Sequence, residues 1–575
     1  MTAPPDTLAP AVDPILLEVI RNKLDGIAQE MELTLVRSAF SVIVKEALDA
    51  SASLFTLRGE PLAQAVAIPA HLAMLVPMVG AILRDHPIET MRPGDAYLMN
   101  DPYDGASHLP DIAVVVPVFV DGRPVALSTA LSHHQDVGGM TPASVPTNAT
   151  EIFQEGVRIP PLRLRRDGVL DPTLIAILKR NVRLPDIFMG DLNAQLACCS
   201  IGARRIEELG RAHGVRRLTM MFDALLDHAE RMTRKGIEAL PDGTYRYGFV
   251  LDNDGVDLDR RLHIEVAAII DGDTVRFDFT GTSAQARGPV NAVPAGALGA
   301  GGFALKAILD PHIPSNGGCF RPMNLTLPEA SLVNPREPAP VSCRSVTMKG
   351  MAAAVLGALR QAAPDKVPAD ASGELMLVHF GGTDATGRRY ITSQLLAGGT
   401  GASLEQDGTD VIETDVTNCM NVPAEALELS GPLRVHSLSL VPDSGGAGRQ
   451  RGGLGCEQRI EILGDDVTMT YRADRHYWAP PGFAEGRSGS LAEGWIDRAN
   501  GRREVIPSKL VTRVSKGDHI TIRTAGGAGY GDPADRLAEA RCRDVEDGKV
   551  SATAAVSIWG APAIASASVQ KEPTS

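Results

Sequence analysis

Aromatic residues are scarce in this sequence, at 4% of 575 positions, and positive charge is short as well. Lysine and arginine number 56 against 70 aspartates and glutamates, for a formal charge of −14. That balance excludes a general electrostatic grip on nucleic acid or anionic membrane, which needs concentrated cations. The basic clusters Arg163–Arg166 and Arg502-Arg503 are short, and each runs into an acid, so they read as solvated loops. Seven cysteines include the adjacent pair Cys198-Cys199 but no CxxC. An odd count without framework spacing points to reduced thiols in a cytoplasmic protein. The longest apolar stretch, near Val290–Leu305, is interrupted by Pro294 and glycines and is too irregular to span a bilayer. The opening MTAPPDTLAPAVDP lacks the apolar segment of a signal peptide. There is also no GxxxxGK[ST]. Gly526–Gly531 ends a strand and runs into Asp532-Pro533, unlike a loop that opens a phosphate-binding helix.

Glycine and proline are plentiful, 57 and 40, which implies many turns and irregular loops. The length exceeds one core and predicts roughly two to four domains. The patterning predicts a mixed α/β (α+β) protein. Residues 1–12 read as disordered, 13–234 as a helical and mixed domain, 235–533 as a β-rich domain, and 534–575 as a helical tail. Leu16, Ile20, Leu24, Ile27, Met31 and Leu35 recur at helical steps after Asp13-Pro14, a cap and first position. A strand follows around Ala52–Thr56 and a helix near Ala70–Arg84. Further helices are expected over Leu174–Lys179 and over Asn193–Ala229, the latter broken near Gly210 or Gly214. From about Lys235 the texture turns to alternating strands with an embedded helix, Val346–Leu359. Glycine-rich turns are expected at Gly445–Gly455 and Gly526–Gly531, and a helical tail over Asp535–Trp559.

The chemistry concentrates in NDPYDGASHLPD (Asn100–Asp111) and LSHHQD (Leu131–Asp136). Ala113–Val120, Asp121-Gly122 and Pro124–Leu131 read as two strands about an Asp-Gly turn, with Pro117 and Pro124 favouring edge positions. Folding about that turn sets Asp111 opposite Ser132 and brings His108 and Asp111 near His133. Two imidazoles and a carboxylate without cysteine suit Zn²⁺, Mn²⁺ or Fe²⁺ with open coordination positions. The competing reading is a pair of loop histidines satisfied by backbone groups. Neighbours on a strand face opposite ways, so His133 and His134 cannot both reach one ion. Asp101 and Asp104 read either as carboxylates that orient the histidines or as turn residues bonded to their own backbone. The segment Gly138–Glu155 is long for a connector and fits a lid.

Eight collinear blocks resemble the hydantoinase B family, which spans B-type halves of ATP-dependent hydantoinases and 5-oxoprolinases and the large subunits of acetone-type carboxylases. They are VKEALDASASLF (Val44–Phe55), the hairpin block, EGVRIPP (Glu155–Pro161), NVRLPDIFMGDLNAQ (Asn181–Gln195) and RGPVNAVPAGAL (Arg287–Leu298), then NVPAEALE (Asn421–Glu428), RGGLG (Arg451–Gly455) and GGAGYGDPADR (Gly526–Arg536). The resemblance implies a divalent metal held by His108, Asp111 and His133. It places an acid near the site, here Asp49 with Glu46 three positions before it. Ala47 stands where the family's ERxDxS-like block has arginine. His71 in IPAHLAML matches a recurring position, and His134 and Asp136 flank the ligand.

The family divides its labour. An A-type partner uses ATP and Mg²⁺ to phosphorylate the carbonyl oxygen of a lactam or hydantoin, and the B-type chain completes hydrolysis. The resemblance therefore implies an αβ or α2β2 assembly with an A-type ATP-binding subunit. Asp49 or His134 is the expected proton carrier, with the metal acidifying water. Carboxylation in an acetone- or acetophenone-type enzyme is the alternative within the same architecture. The donor set also fits a non-haem iron oxygenase, and a non-catalytic scaffold stays open until metal is measured.

Overall fold

The computed structural model describes residues 13–373 and 375–560. The expected disorder over 1–12 and residues 561–575 of the expected tail lie outside them. The protein is a mixed α/β structure with four sheets. The first sheet holds β1 (Ala50–Phe55), β2 (Pro61–Gln64), β3 (Ala96–Met99), β4 (Asp111–Val120), β5 (Arg123–His133), β6 (Leu162–Arg166) and β7 (Val169–Leu170) in the order β2-β1-β5-β4-β3-β6-β7. The second is β11-β10-β9-β8, from β8 (Gly243–Leu251), β9 (Leu262–Asp271), β10 (Thr274–Asp278) and β11 (Met323–Thr326). The third, β13-β12-β16-β19, uses β12 (Leu375–Thr383), β13 (Arg389–Ala397), β16 (Val467–Arg472) and β19 (Lys509–Val514). The fourth, β14-β15-β20-β17-β18, uses β14 (Leu433–Leu440), β15 (Cys456–Ile462), β17 (Glu493–Asp497), β18 (Arg503–Val505) and β20 (His519–Arg523).

Helices cover both faces of the first sheet. The apolar stripe predicted for the opening segment forms α1 (Pro14–Ser38), with Asp13 accepting from the Ile15 N–H at 3.0 Å. After α2 (Val42–Lys45) and α3 (Pro69–Asp85) come α4 (Pro172–Asn181), α5 (Pro185–His213) and α6 (Val215–Glu238), with the break at Gly214. Helices α1 and α5 pack on one face. On the other, α3 packs Leu75, Met78 and Ile82 against Tyr97, Val115 and Leu131. A hairpin covered on both sides explains why β4 reads as an unbroken apolar run. Each fully buried Val or Leu there contributes about 1.5–3 kcal/mol. Gly202 makes the close α1–α5–β5 contact possible: a Cβ at that position would lie 2.4 Å from both Met31 Sδ and Ser128 Oγ. The chain continues through α7 (Pro294–Ile308), the embedded helix α8 (Arg344–Arg360) and α9 (Ala424–Ser430).

Three expectations about backbone need correction. The hairpin turns at Asp121-Gly122, both with positive φ, but a bulge between Val118 and Phe119 shifts the pairing by one. Asp111 therefore lies opposite His133, and Ser132 opposite Ile112. Second, Pro117 and Pro124 are on interior strands. They are tolerated because β3 pairs only with residues 113–115 of β4, and β1 only with residues 127–132 of β5.

Third, Gly445–Gly455 and Gly526–Gly531 are not turns but extended segments laid side by side. Gly453 N–H donates to Thr400 O (2.8 Å), Gly527 to Gly453 O (2.9 Å) and Gly446 to Gly527 O (2.8 Å). A Cβ on Gly453 would sit 2.0 Å from Thr409 O, so these positions, Gly531 with its φ of 75° apart, need the absence of a side chain rather than a special φ. The tail, α10 (Ala538–Glu546) and α11 (Ala552–Trp559), closes over this layer through Arg536–Asp407 (2.7 Å) and Arg451–Asp544 (3.3 Å).

Candidate metal centre

Sheet register brings the centre together. Asp111 pairs with His133, and His133 donates its backbone N–H to Asp49 O at 3.1 Å, so β4, β5 and the start of β1 form one row. Residues opposite one another share a face, which puts the side chains of Asp49, His133 and Asp111 on the same side. His108 reaches the row from the turn before β4. One ligand atom each from His108, Asp111 and His133 lies within 4.8 Å of the others, and all three residues are buried.

The donors are free to hold an ion. His108 Nε2, Asp111 Oδ1 and His133 Nδ1 make no hydrogen bond, although the first two are 3.2 Å apart. Three orphaned acceptor-capable atoms in a dry pocket are costly unless something binds them. His108 Nδ1 lies 3.1 Å from the Ser342 carbonyl, which can only accept. The proton therefore sits on Nδ1 and the Nε2 lone pair faces the cluster, the tautomer a metal ligand needs. Asp111 Oδ2 accepts from Ser107 Oγ (2.5 Å) and Arg344 Nη2 (2.7 Å), which aims Oδ1 inward. Burial pushes the Asp111 carboxyl up, but neighbouring positive charge, Arg344 included, outweighs it and holds it well below the usual carboxylate range. Burial lowers both imidazoles, so they are neutral ligands at pH 7. The donor set fits a divalent cation of the Zn²⁺, Mn²⁺ or Fe²⁺ type.

The remaining sequence candidates divide sharply. Asp49 borders the cluster; burial, then the charge of Asp111, raises its carboxyl to about 8. His71 stands beside it, with Nε2 3.9 Å from Asp49 Oδ1 and Nδ1 2.8 Å from Ser51 Oγ. His134 is turned away, as strand alternation requires: Nε2 contacts Gln195 Oε1 of α5 at 3.0 Å and the ring packs on Phe188. That placement removes His134 from the proton role expected of it. Glu46 caps α2. Asp101 caps its own turn and pairs with Arg158 (2.9 Å), and Asp104 contacts Arg84 (3.3 Å), so neither orients a histidine. Asp136 pairs with Arg183 (2.8 Å) and accepts from the Gly138 N–H, anchoring the start of the 138–155 segment.

The orienting groups come from elsewhere and were not singled out in the sequence. Besides Ser107, Ser342 and Arg344, they include Glu155, whose Oε1 accepts from the Val341 and Ser342 N–H groups at 2.8 Å. It thereby fixes the carbonyl that holds His108. Burial raises the Glu155 carboxyl to about 8. Only EGVRIPP hinted at it. A second group of two histidines and a carboxylate occurs among the described residues, His436, Glu461 and His519, at the surface of the fourth sheet.

Fold and donors define a mixed α/β protein with a buried histidine–carboxylate centre. The hydantoinase B/oxoprolinase pattern matches residues 13–533, and the chain belongs to that family. It is 32% identical to caprolactamase subunit beta of Pseudomonas jessenii over 94% of each chain. It is also similar to the solved ATP-dependent caprolactamase of Pseudomonas jessenii, with TM-score 0.88 and 30% identity over 96% of each chain. A nucleotide-free acetone carboxylase gives TM-score 0.86 at 22% identity over 95% of this chain and 79% of that one, a likeness of fold.

Proposed function

We propose that this chain is the B-type subunit of an ATP-dependent cyclic-amide hydrolase. It opens a lactam or hydantoin ring whose carbonyl oxygen an A-type, ATP-binding partner has phosphorylated, in a cytoplasmic αβ or α2β2 complex. Membership of the hydantoinase B/oxoprolinase family and likeness to an enzyme described as an ATP-dependent caprolactamase support the reaction class. The observation that carries the site is the convergence of three orphaned donor atoms in a dry pocket.

His108, Asp111 and His133 would hold a divalent ion, which would supply a Lewis acid and acidify water at neutral pH. The protein's own groups do the rest. Arg344 and Ser107 keep Asp111 aimed, and the Ser342 carbonyl keeps His108 in the ligating tautomer. Asp49, on the same sheet face and protonated at neutral pH, serves as the proton donor to the leaving ring nitrogen. The 138–155 segment, tied down by Arg183–Asp136 and by Glu155, excludes bulk water from the activated substrate.

His108→Ala or His133→Ala should remove bound metal and ring-opening turnover in the reconstituted complex while the fold stays intact. Full metal content and activity in either variant would sink the assignment. The alternative, an acetone-type carboxylase, rests on fold likeness alone. Radiolabelled bicarbonate fixed in an ATP-dependent assay would establish it in place of hydrolysis.

A further inference from the structure

A sheet face that meets the end of the metal-candidate hairpin carries its own idle polar groups. In the third sheet His379 lies opposite both Ser393 and Thr470, and Leu377 lies opposite Arg472. Alternation therefore sets His379, Ser393, Thr470 and Arg472 on one face. Gln135, two residues beyond His133, donates to Ser393 Oγ at 3.0 Å, so this face looks onto the end of the metal-bearing hairpin. His379 Nε2, Thr470 Oγ1 and Arg472 Nε are buried without a hydrogen-bond partner.

Arg472 is the telling member. It is only 3% exposed, its Nε has no hydrogen-bond partner, and among the described residues no carboxylate pairs with it. Three nearby buried cations have carboxylate partners: Arg344 with Asp111 (2.7 Å), Lys349 with Glu413 (3.2 Å) and Lys509 with Asp474 (3.5 Å). The charge of Arg472 is felt by Asp49, and it lies within the field of Cys343, Arg344 and Glu413. A guanidinium buried to this degree without a countercharge is unfavourable until an anion arrives. Its planar fork matches phosphate oxygens. His379 is a fitting neighbour. Gln135 already donates to Ser393, so the Ser393 hydroxyl can donate to His379 Nδ1 (2.8 Å), leaving the ring hydrogen on the orphaned Nε2.

We propose that Arg472, flanked by His379 and Thr470, is the receptor for a phosphoryl oxyanion opposite the His108–Asp111–His133 cluster. The choice of a phosphoryl group over other anions rests on the proposed ATP-dependent reaction; the anion site itself does not. Such a receptor would hold the activated substrate by the group installed in the partner, or retain phosphate after release.

The test uses the full-length chain, first stripped of metal by chelator. Inorganic phosphate, titrated at constant ionic strength, should raise the melting temperature in a saturable way. Arg472→Met should weaken the apparent Kd at least about tenfold, the scale of one charged hydrogen-bond pair. Arg472→Lys, which keeps the charge and loses the fork, should fall between and covers the case in which the methionine variant does not fold. An identical phosphate response in wild type and variants overturns the proposal, and formate binding as tightly as phosphate overturns the phosphoryl class. With Mn²⁺ added, the ³¹P signal of phosphate should broaden in wild type but not in Arg472→Met. If His108→Ala leaves metal content unchanged while the phosphate response persists, the metal reading fails and the anion site stands. In the reconstituted complex, ATP consumption uncoupled from ring opening in Arg472→Met identifies the phosphorylated substrate as the source. Unchanged coupling with lost phosphate binding identifies released phosphate.

Discussion

His108, Asp111 and His133 in the first sheet, and His436, Glu461 and His519 in the fourth, share a donor set and almost nothing else. In the first group every residue is buried, three donor atoms are orphaned, and neighbours fix the His108 tautomer and the Asp111 oxygen that faces in. In the second, Glu461 Oε2 already meets His436 Nε2 at 2.9 Å and Arg434 Nη1 at 3.5 Å. A bulge between Val435 and Ser437 turns His436 outward, where water competes for it. The contrast teaches that a triplet of donor types is not a metal site. What distinguishes one is a set of lone pairs that the protein has aimed and then left unanswered.

The largest effect separates the two groups directly. His108→Ala/His133→Ala should take bound metal to none and lower turnover of the reconstituted complex roughly a thousandfold or more, the scale of losing a central electrostatic element. His436→Ala/His519→Ala should leave both within about twofold, as a surface change away from the chemistry. Elemental analysis of the purified chain and a ring-opening assay check the pair. Metal lost from the surface variant but kept in the buried one would invert the comparison.

Burial can be isolated at Glu32, a carboxylate on α1 that is 6% exposed and has an orphaned Oε2. Burial raises its carboxyl to about 7, against the lowering effect of its bond with the backbone of Ala52. The folded state therefore holds this proton more tightly than the unfolded chain. Stability should fall as pH rises from about 4.5 to about 7 and then level off, a loss on the order of 3 kcal/mol. Glu32→Gln should remove that slope without touching metal content. Urea unfolding at pH 5 and pH 8 measures it, and an unchanged slope in the variant contradicts the assignment.

Much of this contrast was legible in the sequence, because it depends on local pattern. The Asp-Gly turn and alternating strands place His108, Asp111 and His133 together, and period-two alternation already forbids His133 and His134 from sharing an ion. The register was off by one because a bulge at Val118/Phe119 carries no sequence signature. Ser342 and Arg344 were invisible for a different reason: they reach His108 and Asp111 across 234 and 233 positions. Nothing in RSVTMKG announces a tertiary partner. The glycine-rich blocks misled because composition does not distinguish glycine needed for a left-handed turn from glycine needed so that two backbones can touch.

The smaller effects probe how far neighbouring groups matter. Ser107→Ala removes one donor to Asp111 Oδ2 while Arg344 keeps the charge in place. Metal affinity should fall about tenfold, the low end for a group that orients a ligand, and competition against a chromophoric chelator would show it. At the surface, Glu461 has the opposite standing: its partners His436 and Arg434 are partly solvated, and water takes over when they part. Glu461→Gln should therefore leave metal content unchanged and move the melting temperature by no more than about 2 °C, since exposed ion pairs contribute little. Any difference should vanish near 1 M salt, where the screening length shrinks to about 3 Å. A large, salt-insensitive loss would mean that the carboxylate is shielded from solvent, and the two groups would then differ in degree rather than in kind.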